Sequence, residues 1–145
     1  MQAGLNIPAD WLVSGADPLR APPFQLRKIS VVHPDAEALR VRDPRFTIER
    51  HSVFSALSQP IDLIRSMNIF NRSYFPPARL TEGARAFWQS LKPGGWWIAG
   101  RTWREDPPAS HVSVLEKEPG GFRLVERYGD GSEIEPLALG LHGSD

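Results

Sequence analysis

The amino-acid sequence predicts an α/β fold, a mostly parallel sheet with helical crossovers and an antiparallel hairpin at its C-terminal end. Three observations predict it. Apolar runs of strand length alternate with helical periods between residues 26 and 100, an order that favours parallel strands joined across helices. The stretch LKPGG, residues 91–95, stops a helix and leads straight into WWIAG, a continuous apolar run that reads as a central strand. Beyond it, HVSVLEKE and GFRLVERY flank Pro119-Gly120-Gly121, the pattern of a hairpin.

Residues 1–24 form an irregular N-terminal segment, because Pro8, Pro18, Pro22 and Pro23 break any long element. Within it, DWLVSG (10–15) reads as a short strand ending at a glycine turn. The α/β domain spans residues 25–140, and 141–145 form a tail with no assigned role. LRKISVV (26–32) is strand-like and stops at His33-Pro34. Asp35 is the predicted N-cap of a short helix over 36–41, which Asp43-Pro44 ends. RFTIERHSVF (45–54) alternates like a half-buried strand near a sheet edge. IDLIRSMNIFNRSYF (61–75) begins as a strand and ends in amides, a guanidinium and aromatics before Pro76-Pro77. Leu80, Ala84, Phe87 and Leu91 then recur at offsets of four, three and four, one stripe of a helix. Residues 101–109 are polar and proline-bearing, a predicted loop.

The totals bound the function. At 145 residues the chain fits one domain. Seventeen basic residues balance seventeen acidic ones, so bulk charge argues for neither a nucleic-acid partner nor a membrane surface. The absence of cysteine removes disulfides, thiolate metal sites and cysteine nucleophiles, and fits a cytoplasmic protein. No apolar run approaches the roughly 20 residues that span a bilayer. His33, His51, His111 and His142 lack metal-ligand spacing.

Residues 61–100 resemble the second half of a class I S-adenosylmethionine-dependent methyltransferase. Asp62-Leu63-Ile64 matches the start of that family's fourth strand, and LKPGG matches its lead into the fifth. The resemblance implies a Rossmann-like sheet, N-terminally truncated, with the final hairpin standing for the sixth and seventh strands. It implies S-adenosylmethionine as cofactor, with Gly15, His33, Asp35, Ser52 and Met67 at the cofactor-facing positions. There the sequence departs from the family: VSGADP holds a single glycine, His33 stands where an acidic residue would accept from the ribose, and Ser52 stands for an aspartate near the adenine. The resemblance implies that Asn68 and Asn71 fall in the loop that holds the methyl acceptor, which makes them the catalytic candidates. Arg72, Tyr74 and Arg101 are the candidates for binding a small-molecule substrate. Simpler readings stand beside these: the asparagines cap turns, Asp35 caps a helix, and Arg72 stacks on an aromatic ring. Two alternatives to methyl transfer also stand, a binding module that has lost its cofactor and a fragment of a longer enzyme. A sheet uncovered on one side implies a homo-oligomer or a partner subunit.

Overall fold

The computed structural model describes residues 32–103 and 107–141, which fall into two compact units, Met1–Glu49 and Arg50–Asp145. In the first unit, α1 (Pro34–Arg42) starts one residue after His33, whose backbone is extended. A residue before proline is held in that region, and proline is well placed in a helix's first turn. The N-cap is therefore His33, whose Nδ1 accepts the Asp35 N–H at 3.2 Å, and not Asp35 itself. Asp35 and Glu37 in the first turn and Arg40 and Arg42 in the last complement the helix dipole. Of the predicted strand 26–32, all but Val32 lies outside the described residues.

The second unit contains β1 (Ile61–Met67), α2 (Pro77–Ser90), β2 (Leu91–Trp103), β3 (Ala109–Glu118), β4 (Gly121–Tyr128) and α3 (Glu135–Leu139). They form one four-stranded sheet in the order β1-β2-β3-β4. Only β1 and β2 are parallel; β2/β3 and β3/β4 are antiparallel. This overturns the expected Rossmann-like, mostly parallel sheet. The reason is connection length. A parallel neighbour needs a crossover of a dozen or more residues, and α2 provides the single one seen among the described strands. A short connection follows β2, and a tight turn at Pro119-Gly120 follows β3, so both lead to antiparallel neighbours. The predicted strand over 45–54 does not form either. Its apolar residues Val53 and Phe54 pack against the core, Phe54 edge-on to Phe75 at 5.1 Å between ring centroids. The alternation there reported packing and found no strand partner.

The stripe read from the sequence is the buried face of α2: Leu80, Ala84 and Phe87 are buried, and Leu91 follows them into the core from β2. Trp97 lies at the centre, fully buried, with Phe70, Phe87 and Phe122 around it at 5.0–5.5 Å between ring centroids. Its indole N–H donates to Ser66 Oγ at 2.8 Å, so its one polar atom is satisfied. Trp96, one residue earlier, points to the other face of the sheet and is 46% exposed. Trp88 of α2 pins the hairpin, its N–H shared between the Glu118 and Gly121 carbonyls at 3.1 Å each.

LKPGG has a structural role that its two glycines explain. The β1/β2 register shifts between Ile61 and Leu63, where β2 carries extra residues. Gly94 has φ +73°, and a Cβ on Gly95 would lie 2.9 Å from the Lys92 carbonyl oxygen and 3.1 Å from that of Asp62. The Lys92 ammonium closes this bulge on both Asp62 carboxylate oxygens, at 2.8 and 2.9 Å. Leu141, placed by the sequence in a tail, is buried in the core beside Ile134 and Ala138. Among the described residues no helix is long and apolar enough to cross a membrane.

Candidate functional site at the carboxyl rim of the sheet

Because β1 and β2 are parallel, their carboxyl ends share one rim. The antiparallel β3 begins there, and β4 ends there. The chain leaves β1 at Asn68 with φ +60°, a left-handed conformation that asparagine tolerates better than most side chains. The Asn68 N–H donates to the Gly100 carbonyl at 2.9 Å, and its Oδ1 accepts the Thr102 N–H at 2.8 Å. The bend is thus clipped to β2 by both backbone and side chain. Asn71, 7% exposed, does the same within the loop: its Oδ1 accepts the Ser73 N–H at 2.7 Å, and its carbonyl accepts from Tyr74 and Phe75. Phe70, between them, anchors the bend in the core.

Glu133, from the loop after β4, joins the pieces. One carboxylate oxygen accepts the Arg72 N–H at 2.8 Å, and the other pairs with the Arg101 guanidinium. Burial pushes the Glu133 carboxyl up, but the Arg72 N–H and the Arg101 guanidinium outweigh it and hold the group below the usual glutamate range. Arg101 also stacks on the Trp103 ring at 3.9 Å, so its head is fixed on two sides. Residues 101–103, predicted as loop, are the last residues of β2.

The rim therefore brings together Asn68, Asn71, Arg72 and Arg101, with Tyr74 following in the same turn, 74% exposed. Met67 closes β1 beside them, its thioether against Gly100. Ser52 lies in the loop before β1, where its Oγ accepts the Phe54 N–H at 3.3 Å. His33 and Asp35 belong to the first unit, and Gly15 lies outside the described residues. Among the described residues no group of three or more histidine, aspartate or glutamate side chains could hold a metal ion.

Next to Glu133 the rim opens into a cleft of about 340 Å³, lined by Trp103, His111, Asp130, Gly131, Ser132 and Glu133. His111 Nδ1 accepts the Asp130 N–H at 2.9 Å, which places the proton of the neutral ring on Nε2. That Nε2 and the Ser132 Oγ are buried without a hydrogen-bond partner. Each such atom costs on the order of 1–3 kcal/mol. Below the cleft a satisfied network supports the loop. Ser113 Oγ accepts the Ser132 N–H at 2.8 Å and donates to Glu135, which Arg127 also grips. Sequence reading missed Glu133, His111 and Ser132. The available signal was GDGSE, two glycines bracketing an aspartate directly after a strand, which marks a turn carrying polar groups to that strand's carboxyl end.

Compared with protein-family models, curated proteins and solved structures, the chain matches none.

Proposed function

We propose that the chain is a cytoplasmic methyltransferase-like protein that uses S-adenosylmethionine to methylate a small-molecule acceptor at the carboxyl rim. The observation that carries this is the Asn68 bend, held to Gly100 and Thr102 at the carboxyl ends of a parallel strand pair. In parallel α/β units ligands bind outside such ends. Asn68 and Asn71 shape the acceptor loop. Arg72 and Tyr74 are exposed there, and Arg101 presents a fixed guanidinium, so the three contact the acceptor.

Of the donor-facing positions, Ser52 and Met67 lie in the unit that carries the rim. Ser52, whose oxygen accepts the Phe54 N–H, keeps its own O–H to donate. A bound S-adenosylmethionine would supply an electrophilic methyl carbon. The residues that would hold the acceptor for that displacement are Arg72, Tyr74 and Arg101, on and beside the loop shaped by Asn68 and Asn71. Displacement of this kind is accelerated mainly by proximity and alignment, which is what a rigidly braced loop contributes.

Calorimetric titration with S-adenosylmethionine and S-adenosylhomocysteine tests the proposal, with saturable heat and a raised melting temperature expected. No heat and no thermal shift at millimolar ligand would overturn it. A second reading, a non-catalytic binding module, is favoured by the engagement of both carboxamide oxygens with backbone N–H groups. It predicts a stable partner complex with no cofactor response. Either reading is compatible with self-association through β1, whose outer side pairs with no other described strand and whose Leu63 is 52% exposed.

A further inference from the structure

The sheet has two faces, and α2 and α3 both pack on one of them. Trp97 meets Phe87 of α2 on that side, and Ser113 and Arg127 bond Glu135 of α3 there. Residues that alternate with these along each strand point the other way. Arg65 lies between Ile64 and Ser66, Ile98 between Trp97 and Ala99, and Val114 between Ser113 and Leu115; Glu126 immediately precedes Arg127. Val114 is buried and yet stands outside the core cluster, as this orientation demands. Leu63, Trp96 and Tyr128 share the second face and are 52%, 46% and 51% exposed.

The strand register sets four of these residues in one row across the sheet, Arg65–Ile98–Val114–Glu126. The row ends in opposite charges and has an apolar centre. Among the described residues Arg65 makes no ion pair, and Glu126 meets no cation; its hydrogen bond with Tyr128 only pushes that hydroxyl up. With strands about 4.8 Å apart, the two charged positions are separated by roughly 14 Å. Such a row is complementary to itself after half a turn about an axis parallel to the strands. Each arginine then faces a glutamate, and Ile98 faces Val114. An axis across the strands would set Arg65 against its own copy, and like charges reject that arrangement. Sheets stacked face to face lie about 10 Å apart with strands within about 30° of each other, a gap that an arginine and a glutamate span together.

We propose that this face is a dimer interface, on which a second copy of the chain stacks sheet to sheet about a twofold axis parallel to the strands. Arg65 of each copy pairs with Glu126 of the other, on either side of an Ile98–Val114 centre. The surface is separate from the hydrogen-bonding edge of β1, and it depends on no methyl donor. Four strands over the length of β1 give a footprint of roughly 450 Å² per copy, at the small end for a specific interface, so the dimer is weak.

Charge reversal in the full-length chain, read by sedimentation velocity, tests this. The wild-type chain is expected to pass from monomer to dimer between about 5 and about 500 µM, the range suited to an interface of this size. Arg65→Glu and Glu126→Arg are each expected to weaken the dimer at least tenfold, because each sets like charges together twice. Both side chains are exposed, so the melting temperature of the dilute variants is expected to stay at the wild-type value. An equimolar mixture of the two variants is expected to dimerise within threefold of wild type, since every arginine then meets a glutamate. A chain monomeric at every concentration would overturn the proposal. So would association that neither reversal weakens, which would assign it to the β1 edge, or a mixture no tighter than its components.

Discussion

At the scale of single residues, the rim depends on a few side chains whose roles follow from one dihedral or one carboxylate. Asn68 combines a left-handed backbone with a side-chain clip to Thr102. Asn68→Ala loses both, and about 2 kcal/mol of unfolding free energy is expected to go with them. Asn68→Gly keeps the dihedral and is expected to lose about half as much. Urea melts of the two variants measure this, and equal losses would mean that the backbone conformation contributes nothing. Glu133 and Glu135 share a pH dependence. Burial raises each carboxyl, but the Arg72 N–H and Arg101 around Glu133, and Arg127 and Ser113 around Glu135, leave both below the ordinary range. A carboxyl lowered in the folded state stabilises above its unfolded pKa, and that stability is lost as pH falls through the folded value. The urea midpoint is therefore expected to hold above about pH 5 and fall below about pH 4, near the ordinary glutamate value. A Glu133→Gln, Glu135→Gln double variant should begin less stable and show a flatter acid limb. An unchanged limb would exclude these two groups as its source. None of this was legible in GDGSEIE, since Arg72 and Arg101 lie tens of residues upstream and only the folded chain brings them to Glu133.

At the scale of elements, local pattern and structure agree wherever periodicity was long or turn chemistry was explicit. The four-three-four stripe located α2 because a helix must bury one face, and Pro119-Gly120-Gly121 located the hairpin because few residues permit so tight a reversal. Disagreement arose where apolar residues alternated over a stretch that found no partner strand, as in 45–54, since strand propensity depends on what lies alongside. Gly83 of α2 illustrates how context reverses propensity. In an isolated helix Gly83→Ala would stabilise by about 1 kcal/mol. Here the added Cβ would overlap Cε1 of Phe70, a ring wedged against Phe87 and Trp97. A net destabilisation of about 1–3 kcal/mol is expected by thermal melting, because a packed core cannot move aside for one carbon. Stabilisation in this variant would show that the Phe70 anchor is loose, and with it the Asn68 bend above.

At the scale of the molecule, one sheet face carries α2 and α3, and β1 is an end strand among the described residues. No described strand pairs with the outer side of β1, and Leu63 and Ile64 line an apolar cleft there with Val53, Leu57 and Phe87. Unpaired strand edges with apolar flanks associate. The chain is expected to self-associate with rising concentration in sedimentation velocity, and Leu63→Lys is expected to shift it toward monomer without lowering the melting temperature. A wild-type chain monomeric at every concentration would remove β1 as an interface. The sequence by itself determined the helix α2, the β1–α2–β2 parallel pair and the closing hairpin, because period, proline and glycine act over a few neighbouring residues. Only the tertiary structure decided the direction of the remaining strand pairs, the burial of Leu141 and the meeting of Arg72, Arg101 and Glu133. Those depend on connection length and on contacts between residues far apart in the chain, which no local pattern encodes.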